Sequence, residues 1–444
     1  MMAMAGPAVN RRRGFSSSWA GMIGLAVLAL LVLGCLGSLP WTLGSASKEA
    51  PARYEDGTLS AILLPPTWTG FTDGAADMAL ALRDRRDDPN WTPAPDGPNP
   101  DTATSTLVRY AQVTLERAEA KRHDDAAPLT KQDLQRAEPT YPFGTDNLGR
   151  DVFVRSLTGG GVSIGIGLSA ALISVTIGTL YGALAGYVGG RADALMMRIV
   201  DILYGLPYIL LVVLLAVAGD AIVDEFDTKA NARRHYIEQQ AMVELQHRVE
   251  AGTAKIANKE AMRVLLEEEP ELRATYQDQA DAIKRLEPYH MAPWARTLFD
   301  VIVLLVAIGG VSWLTMARVI RGQVLSLKAQ PFMEAARAAG VPVWRQFARH
   351  LLPNLLGPII VYATLTVPQA ILQESFLSFL GIGVQPPLPS WGNLAAAGLG
   401  ELNTASSRWW LLVFPCALLG LTLLALNFVG EGLREAFDPK RSRS

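Results

Sequence analysis

The stretch Glu334-Ala-Ala-Arg337-Ala-Ala-Gly340-Val-Pro342, running on to His350-Leu-Leu352-Pro353-Asn354, decides how the rest of the chain is read. Its first half is alanine-rich and favours helix. Gly340 and Pro342 interrupt it, and the basic, amphipathic run 344–352 predicts a second short helix. On either side lie long apolar segments, 301–317 and 355–380. A short polar connection that carries Arg337, Arg345 and Arg349 between two such segments predicts a compact loop on the cytoplasmic face of a membrane. Taken alone, an alanine-rich helix with a glycine stop also describes any solvated helix end.

The composition fits a membrane protein with large polar insertions. Half of the residues are hydrophobic and 18% are charged, and the apolar ones are gathered in blocks. A net charge of −2 gives no argument for nucleic acid as a partner. Cys35 and Cys416 lie far apart in two apolar segments, where free buried thiols are expected rather than a disulfide or a metal site.

Six spans follow from the apolar blocks: 19–39, 162–188, 196–217, 301–317, 355–380 and 411–429. Arg11, Arg12 and Arg13 precede the first block and Arg434, Lys440, Arg441 and Arg443 follow the last, which predicts a multi-pass protein with both termini cytoplasmic. A basic start and an apolar core also fit a signal peptide, but the block approaches spanning length and no clear cleavage site follows it. The expected fold is all-α, divided as 1–41, the N-terminus and first span; 42–142, an external insertion with one helix near 104–122; 143–219, the second and third spans; 220–297, an external helical insertion; and 298–444, the remaining spans with the cytoplasmic loop. In the second insertion Ile237, Met242, Leu245 and Val249, then Leu272, Tyr276, Ile283 and Leu286, recur at helical spacing. That predicts a hairpin turning near Gly252 or Pro270.

Several polar residues stand out within the apolar blocks. Arg198 and Asp201 are three apart on one helix face and are expected to pair with each other. Pro207 is expected to kink the third span. Glu374 is the only carboxylate in 355–380, where either a structural hydrogen bond or a substrate amine would satisfy it. The glycines of 162–188 suit close helix packing inside a bundle. Two further strings read as turns: Gly144-Thr-Asp146-Asn-Leu-Gly149-Arg150-Asp151 as a tight turn leading into a helix whose first residues include Asp151, and the proline-rich 381–392 as a stiff external turn. The chain contains no Gly-x-x-x-x-Gly-Lys-Ser/Thr phosphate loop, and its histidines, His123, His235, His247, His290 and His350, are scattered. Neither catalytic nor metal-ligating residues are expected.

The spacing of Glu334-Ala-Ala, Gly340 and Leu352-Pro353 resembles the "EAA" loop of binding-protein-dependent ABC transporter permeases. Gly-Thr-Asp-x-x-Gly-Arg-Asp at 144–151, Arg198-x-x-Asp201 with Leu206-Pro207, Glu374-Ser-Phe-Leu-Ser-Phe-Leu-Gly-Ile-Gly-Val-Gln-Pro-Pro-x-Pro-Ser-Trp-Gly392 and Gly432-Leu-Arg-Glu-Ala-Phe-Asp-Pro-Lys440 further resemble the C-type permease subunits of dipeptide, oligopeptide and nickel importers. The resemblance covers roughly 143–214 and 301–440 and leaves out both insertions. It implies an inner-membrane permease subunit, most readily for di- or oligopeptides, with nickel or another small solute as the alternative. The implied partners are a second permease, two ATPase subunits that bind ATP and Mg, and an external solute-binding protein; this chain itself binds no cofactor. It also implies that Glu334, Ala335, Ala336, Gly340, Leu352 and Pro353 couple to an ATPase subunit, while Asp201, Pro207 and Glu374 are candidates for the pathway or its gate. A different class of function, a membrane-anchored scaffold that assembles envelope proteins through its helical hairpin, competes with this reading. An intact coupling loop argues against the scaffold.

Overall fold

The computed structural model describes residues 18–45, 50–70, 73–88, 90–94, 97–121, 129–253, 258–282, 293–402 and 407–437. The basic clusters at Arg11–Arg13 and Lys440–Arg443, His123, His290, Ile283 and Leu286 fall outside that set. Among the described residues the elements are helical, and extended pairing is confined to isolated bridges. The chain divides into two units, Met1–Val212 with Leu304–Ser444, and Val213–Val303.

In the first unit, α1 (Trp19–Thr42) is followed by a small helical cluster: α2 (Ala75–Asp87), α3 (Ser105–Ala120) and α4 (Lys131–Ala137). Only α3 is legible in the sequence, where Thr104 caps it by accepting from the Leu107 amide. The other two are held by burial: Met78 and Ala79 of α2 and Leu134 of α4 pack with Ala111 and Leu115 of α3. Tyr110 of α3 packs with Leu64 and Tyr141 in an adjoining cluster.

Helix α5 (Val152–Val188) starts ten residues before the apolar block itself, directly after the 144–151 turn as its sequence suggests, and Asp151 caps it through the Phe153 amide at 2.8 Å. Burial pushes the Asp151 carboxyl up to about 6, against the opposing effect of the backbone N–H groups it accepts from. At about 1.5 Å per residue α5 is roughly 55 Å long, and it forms the axis of this unit. Its glycines bring backbones together. A Cβ on Gly160 would lie 2.5 Å from both the Cys35 sulfur and the Trp391 ring, and one on Gly182 would lie 2.2 Å from the Ala317 carbonyl oxygen.

The third span is not one helix. Helix α6 (Gly190–Tyr204) ends before Gly205, and α7 (Tyr208–Glu250) restarts beyond Pro207. Helix α7 then continues through position 220, where the sequence suggested a boundary. The second unit contains most of α7, then α8 (Lys259–Glu268) and α9 (Pro270–Ala282). The expected hairpin has one turn, near Gly252 or Pro270; the chain breaks near each, with Gly252 at φ +76° and Pro270 opening α9, so three helices stand in place of the expected two. Ala241, Leu245, Met262 and Leu265 form the core of this unit, and Arg248 grips Glu269 at 2.5 and 2.9 Å.

Helix α10 (Pro293–Lys328) leads to α11 (Pro331–Ala338). The expected separate second helix of the loop is absent: α12 (Val343–Gln346) runs through a π-turn at Phe347–Leu351 directly into α13 (Leu352–Phe379). Pro353 follows that π-turn by two residues. After the proline-rich turn, α14 (Trp391–Gly400) forms a short helix whose first two residues fall within the expected turn 381–392 and whose remainder the sequence left unassigned, and α15 (Trp410–Phe437) is the last described helix. Cys35 is buried, whereas Cys416 is exposed and not the buried thiol expected.

Five of these helices are long and apolar enough to cross a membrane, and the broken pair across Pro207 makes a sixth candidate. The protein is a multi-pass, all-helical membrane protein.

Candidate coupling loop and polar sites

Helix α11 closes with two backbone bonds. The Gly340 amide donates to the Arg337 carbonyl at 3.0 Å and the Val341 amide to the Ala336 carbonyl at 3.1 Å, with Gly340 at φ +68°. This is a Schellman closure, which needs a left-handed residue at the position Gly340 occupies. The turn stands in the open, since a Cβ on Gly340 would meet nothing within 4 Å.

The amphipathic spacing of α11 sorts its side chains. Met333 is buried against a core of Ile320, Val324, Leu351 and Leu355, and Ala336 is buried as well. Glu334, Ala335 and Arg337 are exposed on the other face, as is Pro353, while Leu352 is half-buried. Phe332 (40% exposed), Val343 and Trp344 (71% exposed) add large apolar surface to the same loop. Six residues singled out by the motif are thus divided: Glu334, Ala335, Gly340 and Pro353 are free to touch another protein, and Ala336 and Leu352 support the loop from within. Sequence reasoning passed over Phe332 and Trp344, although an exposed aromatic in a polar loop is itself an interface signal.

The charged residues near the third span pair differently from expectation. Asp201 accepts from Arg318 of α10 at 2.9 Å, not from Arg198, and the Arg318 guanidinium lies 4.0 Å from the centre of the Tyr204 ring. Arg321, one turn further along α10, holds Asp193 bidentately at 2.5 and 2.6 Å. Both pairs tie α6 to α10. Asp201 itself remains exposed, as does Pro207.

Glu374 is fully buried. Ser378 donates to Oε1 at 2.8 Å and Ser375 to Oε2 at 3.2 Å, and the hydroxyls of Ser163 and Ser390 complete the shell. Ser378 Oγ in turn accepts from the Val384 amide at 2.9 Å, and Ser163 Oγ from the Trp391 amide at 3.2 Å. One carboxyl group therefore joins α13, the proline-rich turn, α14 and α5. This is the geometry of a brace within the chain, the first of the two alternatives open for it.

The 143–151 string is a second joint. Asp146 accepts from the Leu148 and Arg150 amides at 2.9 and 3.0 Å and from Arg150 Nε at 2.8 Å. Thr145 Oγ1 accepts from the Leu64 amide at 2.7 Å, and Phe143 stacks on Phe414 of α15 at 3.9 Å. The turn fastens the α2–α4 cluster to α5 and α15. Among the described residues no group of three His, Cys, Asp or Glu side chains could hold a metal ion.

The chain is thus a bundle of candidate membrane helices with an exposed, glycine-closed helical loop between two of them. Residues 178–443 match the family described as binding-protein-dependent transport system inner membrane component. The chain belongs to that family. It is 36% identical over 323 residues to the oligopeptide transport system permease protein OppC of Haemophilus influenzae, covering 70% of this chain and 77% of that one. Similarity to the dipeptide transport system permease protein DppC of Bacillus subtilis is 37% identity over 315 residues, 71% and 73% of the two chains. The oligopeptide permease protein OppC of Escherichia coli K12 is 37% identical over 318 residues, 72% and 78%.

Proposed function

We propose that this chain is a permease subunit of an ATP-driven importer for di- or oligopeptides. It works beside a second permease, two ATPase subunits that bind and hydrolyse ATP with Mg, and an external solute-binding protein. The observation that carries the reading is the loop at 331–346: a rigid helix with its apolar face seated in the chain and Glu334, Arg337 and Trp344 presented outward. Such a surface suits the cleft of a nucleotide-driven partner, whose movement reaches the spans only through a well-seated contact. Peptides are the solute class named for the relatives at 36–37% identity. Asp201 and the Pro207 break supply an exposed charge and a bendable point for the pathway or gate, with Glu374 bracing the outer end from inside.

The test is purification of the tagged chain from its native membranes, followed by reconstitution. Expected are ATPase subunits in the eluate and ATP-dependent accumulation of labelled peptides when loaded binding protein is supplied. A chain that captures other envelope proteins through residues 220–297 and no ATPase supports the scaffold reading instead.

In this reading both termini and the 331–346 loop are cytoplasmic, and the 42–142 and 220–297 segments are external. Single cysteines at Asp88 and Arg263, placed in a background lacking Cys35 and Cys416, are expected to react with an impermeant maleimide on intact cells. Those at Arg337 and Ser444 are expected to react only after permeabilisation. Labelling at Arg263 that requires permeabilisation overturns the arrangement.

A further inference from the structure

The inner end of α5 is joined to the 331–346 loop by side chains that no motif in the sequence contains. The Tyr187 hydroxyl donates to Gln346 Oε1 at 3.1 Å, and Gln346 Nε2 donates to the Val341 carbonyl at 2.6 Å. Gln346 is only 5% exposed, so its amide is committed to these two partners on the loop's inner side. On the other flank of the same turn, the Lys328 ammonium donates to the Tyr187 carbonyl at 2.5 Å, and Arg337 of α11 donates to the Lys328 carbonyl at 3.3 Å. One residue earlier on α5, Gly186 lies so close to α10 that a Cβ would be 2.9 Å from the Arg321 carbonyl oxygen. The end of α5 is thereby held against α10 on one side and the loop on the other.

We propose that Tyr187 and Gln346 are positioning residues that pass displacement of the loop to α5, the axis of the first unit. This rests on the reading of the loop as the contact for an ATPase subunit. Val341 lies within the Schellman closure of α11, so Gln346 grips the turn that any partner would push. A hydrogen bond to a half-buried side chain is short-ranged and directional, and losing it leaves the loop's outward face intact. The strut therefore separates two properties: holding an ATPase subunit and responding to it.

The experiment uses the complete transporter in phosphatidylethanolamine–phosphatidylglycerol vesicles, with a radiolabelled mixed-sequence tripeptide pool as the probe. Tyr187→Phe removes one oxygen. Gln346→Glu keeps an acceptor for the Tyr187 hydroxyl but loses the N–H donated to Val341. Expected for both are ATPase subunits retained at wild-type stoichiometry, unchanged basal ATP turnover, and about a threefold to tenfold fall in peptide accumulated per ATP hydrolysed. The double variant is expected to be no worse than the poorer single one, because both changes break one linkage. Wild-type peptide-to-ATP ratios in both single variants overturn the proposal. So does loss of the ATPase subunits in Tyr187→Phe, which would make the pair part of the docking face. Failure of the wild-type complex to retain ATPase subunits is a different result and removes the underlying reading of the loop.

Discussion

Gly340→Val is expected to leave the protein inserted in the membrane and to reduce solute-stimulated ATP hydrolysis about tenfold or more. The cause is backbone strain and not crowding, since nothing lies within 4 Å of the position a Cβ would take. At φ +68° an L-residue costs roughly 1–2 kcal/mol, and β-branching adds to that. The turn can relieve the strain only by rotating Gly340 out of the left-handed region. That breaks the hydrogen bonds that the Gly340 and Val341 amides donate to close α11, and loosens the carbonyl gripped by Gln346. About 1.4 kcal/mol on the docked state is already a tenfold change in its population. Glu334→Ala is expected to be milder, since Glu334 is an exposed side chain that contributes to the favourable N-terminal end of α11 without shaping its turn. ATPase co-purification and turnover in vesicles, with and without loaded binding protein, measure both. Full coupling in Gly340→Val sinks the assignment of this loop.

Gly182→Val is expected to be the most damaging single change in the bundle. The new Cβ would sit 2.2 Å from the Ala317 carbonyl oxygen and 2.9 Å from its carbonyl carbon, both backbone atoms of α10 that cannot rotate aside. Relief requires α5 and α10 to separate, which strips contacts from Ala183, Met316 and Ile320 in the same core. Overpacking of this kind costs about 1–3 kcal/mol and sometimes more, and the upper end is expected here. Thermal unfolding in detergent should show a lower Tm and a poor yield of folded protein. Gly165→Ala on the same helix, with open space around its Cβ, should leave Tm unchanged or raise it. Equal behaviour of the two variants would mean that α5 and α10 do not pack as described.

Gly340 and Gly182 differ in how far the sequence reveals them: the turn at Gly340 is local, whereas the Ala317 carbonyl against Gly182 belongs to another helix. Gly340 was legible because a Schellman turn is local: helix formers, glycine and proline lie within nine residues. The capped helix α3 was legible for the same reason. Helix α14 was missed because it is ten residues long, begins directly after a proline-rich turn and holds its place through Trp391, whose ring donates to the Ser156 carbonyl 235 residues away. Asp201 was given the wrong partner because i,i+3 spacing favours Arg198, whereas Arg318 is brought in by helix packing. Glu374 was visible as an anomaly, and its neighbours Ser375 and Ser378 lie at helix spacing, but Ser163 and Ser390 come from other elements. The Tyr187–Gln346 contact joins residues 159 apart and leaves no trace in either local pattern.

The continuous rod from Val343 to Phe379 is pinned to α5 twice, by Gln346 to Tyr187 at one end and by Glu374 to Ser163 towards the other. Along α5 the pins are roughly 36 Å apart and along the rod roughly 42 Å, at 1.5 Å per residue. Two struts fastened at both ends make a closed frame, in which neither can slide past the other without detaching a pin. What such a frame still permits is bowing, and Pro358 and Pro368 lie between the pins on the rod alone. On the proposed reading of the loop, a push there would bow the rod rather than slide it along α5, working against the close approach of Gly167 to Ile371 between the pins.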